Sequence, residues 1–455
     1  MSADSNLRIA IVGAGPSGLS LAWYLSQLGF RHVEIFEAGS EVGGQSHTED
    51  VGGIPIEMGT CYLADGYIIA REIAEAAGTP PERLPPATFL DKDGKPFIPP
   101  MPSTLAMLRY VWKWFGWYLG GQLTKPTDPA NALTFDEWLK LKGLGELAAS
   151  MIFADGCTAQ LYGPLKDVTA HNGLSWVRPS LLITGKREDT AHLPAGFQNM
   201  WRGLVAHLKL NVRFGQRIDE IRPVREGAGQ VELIRDGKPL AERFDHVFVA
   251  CPLDETPANS GMQLKHPLTD MLRNDFAKFD ATEVYSAIWR ASHWPLAAAS
   301  RCYLPASFRG DRGRILTIRQ YGKIGEDWVG QLCAYAADNE PPSNEAEALR
   351  KNRDRMLEDM KNIVGLRNIS ILHERLWRYS IRYSPIQLNQ GLPAAISARQ
   401  GVDNVWYTGG ALSHWDVDMI ANFSQSLAWR FGKRVGLSFL RRLRIIRLRD
   451  LFKDL

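Results

Sequence analysis

The chain lacks the apolar run that a membrane span needs: no stretch of about eighteen residues is both apolar throughout and free of charge. Its five cysteines, Cys61, Cys157, Cys251, Cys302 and Cys333, stand far apart, with no C-x-x-C among them. That spacing argues against a disulfide framework or a cysteine zinc site and fits a reducing cytoplasm. Residues 1–7 are short and polar, so no secretory leader is expected before Arg8. No H-E-x-x-H or Asp-rich metal run occurs, and Ser413 does not sit in a G-x-S-x-G elbow. Neither a metal nor a serine nucleophile is therefore expected. Nucleic-acid motifs, internal repeats and low-complexity tracts are missing too, and nucleic acid is not an expected partner.

What remains is the composition of an ordinary globular enzyme: 455 residues, 45% hydrophobic and 23% charged, with room for two or three domains. The most informative stretch runs from Arg8 to Gly18, an apolar strand followed by Gly13-Ala14-Gly15-Pro16-Ser17-Gly18 and then a helical run from Leu19 to Leu28. Strand, glycine turn and helix N-terminus in that order are the context in which G-x-G-x-x-G binds a dinucleotide. Gly13 permits the turn, Gly15 lets a pyrophosphate approach the backbone, and Gly18 lets helix and strand pack closely. The free N–H groups of the helix, including those at Pro16-Ser17-Gly18 that can donate, face the phosphates. A second apolar run, Val33 to Phe36, ends at Glu37, where a carboxylate is expected to hold a ribose hydroxyl.

Further segments resemble the FAD-dependent amine-oxidase and phytoene-desaturase superfamily. They are Gly43-Gly44-Gln45-Ser46, Ile56-Glu57-Met58-Gly59-Thr60, Arg217-Ile218-Asp219-Glu220-Ile221, Asp245 to Pro252, and Asn404-Val405-Trp406-Tyr407-Thr408-Gly409-Gly410. The resemblance implies FAD rather than NAD, because the cofactor segments are spread along the chain. It also implies that Gly43, Gly44, Gln45, Gly59 and Thr60 pass close to the flavin, and that Ile218 meets the adenine through its backbone. Gly409, Gly410, Val417 and Asp418 fall at the isoalloxazine and ribityl end. Two positions depart from the family: Gln45 stands where Arg is usual, and Gly410 where an acid is usual. With no cysteine in the last segment, FAD is expected to be non-covalent. Within the superfamily the chain is most similar to bacterial polyunsaturated fatty acid isomerases, through Glu57-Met58-Gly59, Phe89-Leu90 with Asp93-Gly94, and the stretch from Tyr407 to Leu427. Those enzymes take a hydride from an allylic carbon onto flavin N5 and return it elsewhere. Where they carry basic residues before the Phe-Leu segment, this chain reads Pro85-Pro86-Ala87-Thr88.

The expected fold is α/β: a discontinuous Rossmann-like FAD-binding domain (1–85, 190–260 and 395–432) with an inserted α+β substrate domain (86–189 and 261–394). The first insert reads helical, with an aromatic helix over 105–119 and further helices over 135–142 and 144–153. The second alternates strands with one charged helix, over 344–364, and suggests a sheet roofing the flavin. The aromatic helix has two readings, core packing or a lipophilic, membrane-dipping element. Residues 433–455 form a basic tail in which Arg441, Arg442, Arg444, Arg447 and Arg449 interleave with leucines and isoleucines. Peripheral contact with an anionic membrane surface is one reading of that tail; docking on the body or on a second subunit is the other. The sequence leaves the oligomeric state open.

Hydride transfer asks little of side chains, which suits a chain without an acid–base dyad. The strand over 377–383 is expected above the flavin, with Tyr379 and Tyr383 on one face and Arg378 and Arg382 on the other. Arg382 is then either a two-point anchor for a substrate carboxylate or half of an ion pair. His171, His192 and His414 are lone histidines; His414, beside the flavin segment, is the candidate proton donor. Asp418 is either at the flavin or a helix N-cap. The leading function is double-bond isomerisation or desaturation of a small lipophilic substrate. The alternatives are an amine or amino-acid oxidase, and a flavin-containing binding module.

Overall fold

The computed structural model describes residues 6–64, 66–99, 101–120, 129–150, 160–177, 190–224, 229–253, 264–276, 278–296, 300–338, 342–413 and 416–446. The chain opens with β1 (Arg8–Val12), α1 (Pro16–Gln27) and β2 (His32–Phe36). Ile9, Ala10, Ile11 and Val12 are all buried, as a central parallel strand covered on both faces requires. Two later strands, β3 (Asn211–Arg213) and β4 (His246–Val249), and the late β9 (Val405–Tyr407) complete a parallel sheet in the order β9-β4-β1-β2-β3. These five strands come from three separated stretches of sequence. Two further helices pack beside α1: α5 (Phe197–Leu208) and the long α6 (Val417–Arg434). The Ser424 hydroxyl of α6 donates to the Ser17 carbonyl of α1 at 3.2 Å.

A second, mostly antiparallel sheet is built from β5 (Asp280–Ala291), β6 (Ile315–Ile324), β7 (Asp327–Tyr335) and β8 (Ser370–Arg382). Its order is β8-β5-β7-β6, continued by the short strands Arg301–Tyr303, Thr88–Leu90 and Pro96–Phe97. The first insert therefore adds two strands to this sheet as well as helices. Asp91 turns that hairpin by accepting the Asp93 and Lys95 N–H groups at 2.9 and 2.8 Å. The helix expected over 144–153 is a single 3-10 turn, Gly145–Ala149, and 151–153 lie outside the described residues.

The strict alternation expected along β8 does not hold. Thr282 of β5 pairs with Tyr379, whereas Asp280 pairs with Arg382, so β8 carries one extra residue between these partners. Ser380 takes it up with a φ of +48°. A bulge of this kind re-aims the side chains beyond it.

The aromatic helix, α3 (Thr104–Leu119), divides cleanly into two faces. Tyr110, Trp114 and Trp117 are buried against α4 (Ala170–Trp176), and each polar tip finds a partner. The Tyr110 hydroxyl donates to the Val177 carbonyl, Trp114 Nε1 to the Leu174 carbonyl and Trp117 Nε1 to Asn131 Oδ1, at 2.6–2.8 Å. On the other face Leu105, Leu108, Trp112 and Leu119 are exposed.

The start of the tail packs on the body. Leu437 and Ile445 are buried, Arg441 Nε donates to the Leu28 carbonyl at 2.8 Å, and Arg442 lies over the Trp429 ring at 4.5 Å. Residues 447–455 lie outside the described residues. Among the described residues no helix is long and apolar enough to cross a membrane.

Candidate active site

The glycine turn between β1 and α1 is held from behind. Gly13 has a φ of +112°, and a Cβ there would lie 3.1 Å from the Ala250 backbone. A side chain at Gly18 would collide with the Gly13 carbonyl. The Glu37 carboxylate accepts the Ala14 and Gly39 N–H groups, both at 2.8 Å, which fixes it at the mouth of the turn. Gly43 N–H donates to the Ala14 carbonyl at 2.9 Å and brings the second glycine pair onto the first. α1 begins with Pro16 at its first position and no side-chain cap, so its leading N–H groups remain available to an anion.

In front of this turn lies a cavity. Gly15, Pro16, Ser17, Gly44, Gln45 and Thr60 form one wall. Tyr379, Gly409, Gly410 and Val417 form the opposite side, with Ile381 and Leu412. Ten of the residues read from sequence thus share one cavity. Gly13, Gly18 and Gly43 stand behind it, and Gly59 is pressed onto the Gln45 carbonyl, where a Cβ would collide. Ile218 is buried in the same apolar cluster as Val12 and Phe36. Gln45 Nε2 donates to the Arg378 carbonyl at 2.9 Å, tying the glycine loop to β8.

A second, smaller cavity opens off the first. Thr60, Tyr379 and Val417 line both. The rest of its wall includes Tyr62, Tyr67, Tyr162, Cys61, Cys333 and Thr317. Burial raises the pKa of all four tyrosines and of both thiols, so the wall is neutral phenols and thiols rather than nucleophiles. Among the described lining residues Asp416 is the one charged residue, and its side chain caps α6 by accepting the Met419 N–H at 2.7 Å. Sequence reasoning missed Tyr62, Tyr67 and Tyr162. Tyr62 and Tyr67 stand two and seven residues past Thr60, the signal that could have found them; Tyr162 is brought in only by the tertiary fold.

Three expectations need correction in detail. Asp418 does not cap its own helix, which begins at Val417 with Asp416 as N-cap. Its Oδ1 instead accepts the Ile69 and Ala70 N–H groups at 2.7 and 2.9 Å, satisfying the N-terminus of α2 (Ile68–Ala76). Arg378 faces Glu283 in a part-buried pair at 3.3 Å. Arg382 does not share a face with it: past the bulge its guanidinium donates to the carbonyls of Tyr162, Ser380 and Asp167 and to the Thr282 hydroxyl, at 2.9–3.3 Å. Those contacts hold the guanidinium inside the protein, on backbone carbonyls and a hydroxyl rather than on an acid. Tyr383 and Arg382 line a third cavity, not the one in front of the glycine turn. His171 also lines that third cavity, while His192 lies 3.2 Å from Arg319 and burial takes its pKa down to about 4. His414 lies outside the described residues. Among the described residues no group of His, Cys, Asp or Glu is arranged to hold a metal.

Comparison with known proteins agrees with this geometry. The model of the family described as flavin containing amine oxidoreductase matches residues 16–342. A polyenoic fatty acid isomerase of Ptilota filicina is 21% identical over 325 residues, 63% of this chain. The chain spans 63% of that enzyme's length. A putative flavin-containing monoamine oxidase of Mycobacterium tuberculosis is 25% identical over 326 residues, 64% of this chain and 68% of that one. In structure, the fatty acid isomerase from P. acnes superposes with a TM-score of 0.76 at 23% identity, covering 94% of this chain and 100% of the other, which establishes a shared fold.

Proposed function

The chain belongs to the flavin containing amine oxidoreductases, with FAD as its cofactor, and on that premise we propose that it isomerises or desaturates a lipophilic, unsaturated substrate. The cofactor fits the residues present. Gly15 and Gly44 leave a cradle that any side chain would fill, and the uncapped start of α1 suits a pyrophosphate. Glu37 is at the right end for the adenosine ribose, and with no cysteine in the 404–413 segment the cofactor is held without a thioether. Bound there, the flavin supplies a hydride acceptor.

The observation that carries the substrate reading is the tyrosine-walled cavity, continuous with the flavin cavity through Thr60, Tyr379 and Val417. Its described wall holds no lysine, arginine or histidine. Phenol rings present apolar faces to a carbon chain and electron-rich faces to a carbon that loses hydride. Thr60 and Tyr379 orient the chain at the junction, and the buried wall excludes water. One observation favours the second reading, an amine oxidase. Asp416 and the same phenol faces would also attract an ammonium group. A screen of polyunsaturated acids and esters against simple amines, read by product analysis and by peroxide, separates the two. New double-bond isomers without peroxide support the first reading; peroxide with amines overturns it.

A further inference from the structure

α3 carries two apolar faces, and its packing on the body uses one of them. We propose that the outer face is a docking surface for a lipid bilayer with anionic head groups, the helix lying flat in the membrane surface. The proposal goes beyond the reaction above and does not rest on it.

Geometry is the first support. Tyr110, Trp114 and Trp117 face the body, and their polar tips are already paired there. At about 100° per residue, Leu105, Leu108, Trp112 and Leu119 fall within about 60° of one another on the opposite side. Trp112 is 78% exposed, and the three leucines lie between 63% and 79%. Ile98 and Met101, in the proline-rich approach to the helix, are exposed as well. Scattered exposed apolar side chains are ordinary, but a row of them along one helix marks an interaction face. Core packing and interface contact, alternatives from sequence, thus belong to opposite sides of one helix.

Charge is the second support, and it selects the partner. Arg109 and Lys113 flank the stripe on one side. Both are exposed and, among the described residues, neither has an ion-pair partner. Between Asp93 and Asp128 the sequence has no acid, while it has Lys95, Arg109, Lys113 and Lys125. Glu146 accepts from the N-cap Ser103 at 3.5 Å and not from the two cations. An apolar stripe edged by cations matches the boundary between acyl chains and anionic head groups. Tryptophan favours that boundary too. A second copy of the chain fits this face less well. A two-fold contact through it would gather four cations, with no acid of the segment to answer them. Because the inner face is tied to the body, the helix meets the bilayer side-on, along a length of about 24 Å.

The test is flotation of the FAD-loaded, full-length protein with vesicles of equal parts phosphatidylcholine and phosphatidylglycerol, against vesicles of phosphatidylcholine alone. The protein is expected to float with the mixed vesicles and less well with the neutral ones. Leu108→Ser with Trp112→Ser should weaken binding about ten-fold or more, the worth of one large apolar side chain buried. FAD content and melting temperature should not change, since both side chains are exposed. Arg109→Gln with Lys113→Gln is the second arm. It should weaken binding to the mixed vesicles about ten-fold and shrink the preference for them. A wild-type protein that does not float, or either double variant floating as the wild type does, would overturn the docking surface. Unchanged flotation of both variants would move the contact to the basic tail. A wild-type dimer in light scattering that Leu108→Ser with Trp112→Ser makes monomeric, without flotation of either, would overturn the proposal and give the face to a second copy.

Discussion

Gly44 is folded against Gly15 so closely that a Cβ on Gly44 would stand 3.2 Å from the Gly15 Cα. The two glycine pairs, nearly thirty residues apart in sequence, are thus one wall. Gly44 also has a φ of +55°, so any other residue is strained there before it meets its neighbour. Gly44→Val is expected to give a folded but largely colourless protein. The measurement is the ratio of flavin to protein absorbance after gel filtration; wild-type FAD content would refute the shared wall.

Glu37 should matter for cofactor retention through two routes, its ribose contact and its bonds to Ala14 and Gly39. Loss of a charge-assisted hydrogen bond costs about 1.5–3 kcal/mol, so Glu37→Ala is expected to weaken FAD about ten-fold or more. Dilution followed by flavin fluorescence reads this directly. Acid precipitation should release the flavin completely into the supernatant, as non-covalent binding requires.

Asp418 offers a cleaner separation of stability from chemistry. As the cap of α2, it should tolerate Asn, whose carbonyl still accepts the Ile69 and Ala70 N–H groups, better than Ala, which leaves them unpaired. Asp418→Ala is expected to cost about 1–2 kcal/mol and to lower the melting temperature, while Asp418→Asn stays closer to wild type. Both should keep the flavin spectrum. A spectrum changed by Asn at unchanged stability would return Asp418 to the cofactor.

The pH profile of stability follows from three buried groups, His246, His266 and Glu57, and the half-buried His192. Burial takes His192, His246 and His266 down to about 4, so unfolding binds protons below their ordinary value of 6.5. Their contribution is complete above about 6.5 and is lost as pH falls toward 4. Glu57 runs the other way. Burial raises it to about 8, against the hydrogen bonds from Phe197 N–H and the Thr48 hydroxyl. Its contribution is complete below 4.5 and is lost as pH rises through 8. Glu57→Gln should therefore flatten the alkaline decline in melting temperature and leave the acid limb in place. An unchanged slope between pH 6.5 and 8.5 would contradict a neutral Glu57.

Local motifs were legible in the sequence where local chemistry decides them. The glycine turn with its flanking strand and helix follows from a short-range pattern, and Gly44, Thr60, Gly409 and Val417 from the family resemblance of their segments. Seven of these residues meet in one cavity, with Gln45, Gly410 and Tyr379. The failures have a common physical origin. Ser380 is a non-glycine residue at positive φ, and the bulge it makes reverses the side of Arg382, which no alternation rule anticipates. Asp418 looks like a cap and is one, but for a helix 349 residues away. The tyrosine cavity gathers Tyr62 and Tyr67 from one segment, Tyr162 from another and Tyr379 from β8. Only the tertiary fold assembles it.

The central claim is double-bond chemistry on a lipophilic chain beside the flavin. Its most direct test is an anaerobic, multiple-turnover reaction of the FAD-loaded enzyme with a polyunsaturated lipid, followed by product analysis and flavin absorbance together. An isomerase should form many product molecules per flavin without oxygen, with the flavin oxidised again when substrate is exhausted. A flavin that bleaches after a single equivalent, or stays oxidised with the lipid unchanged while an amine bleaches it, would contradict the account.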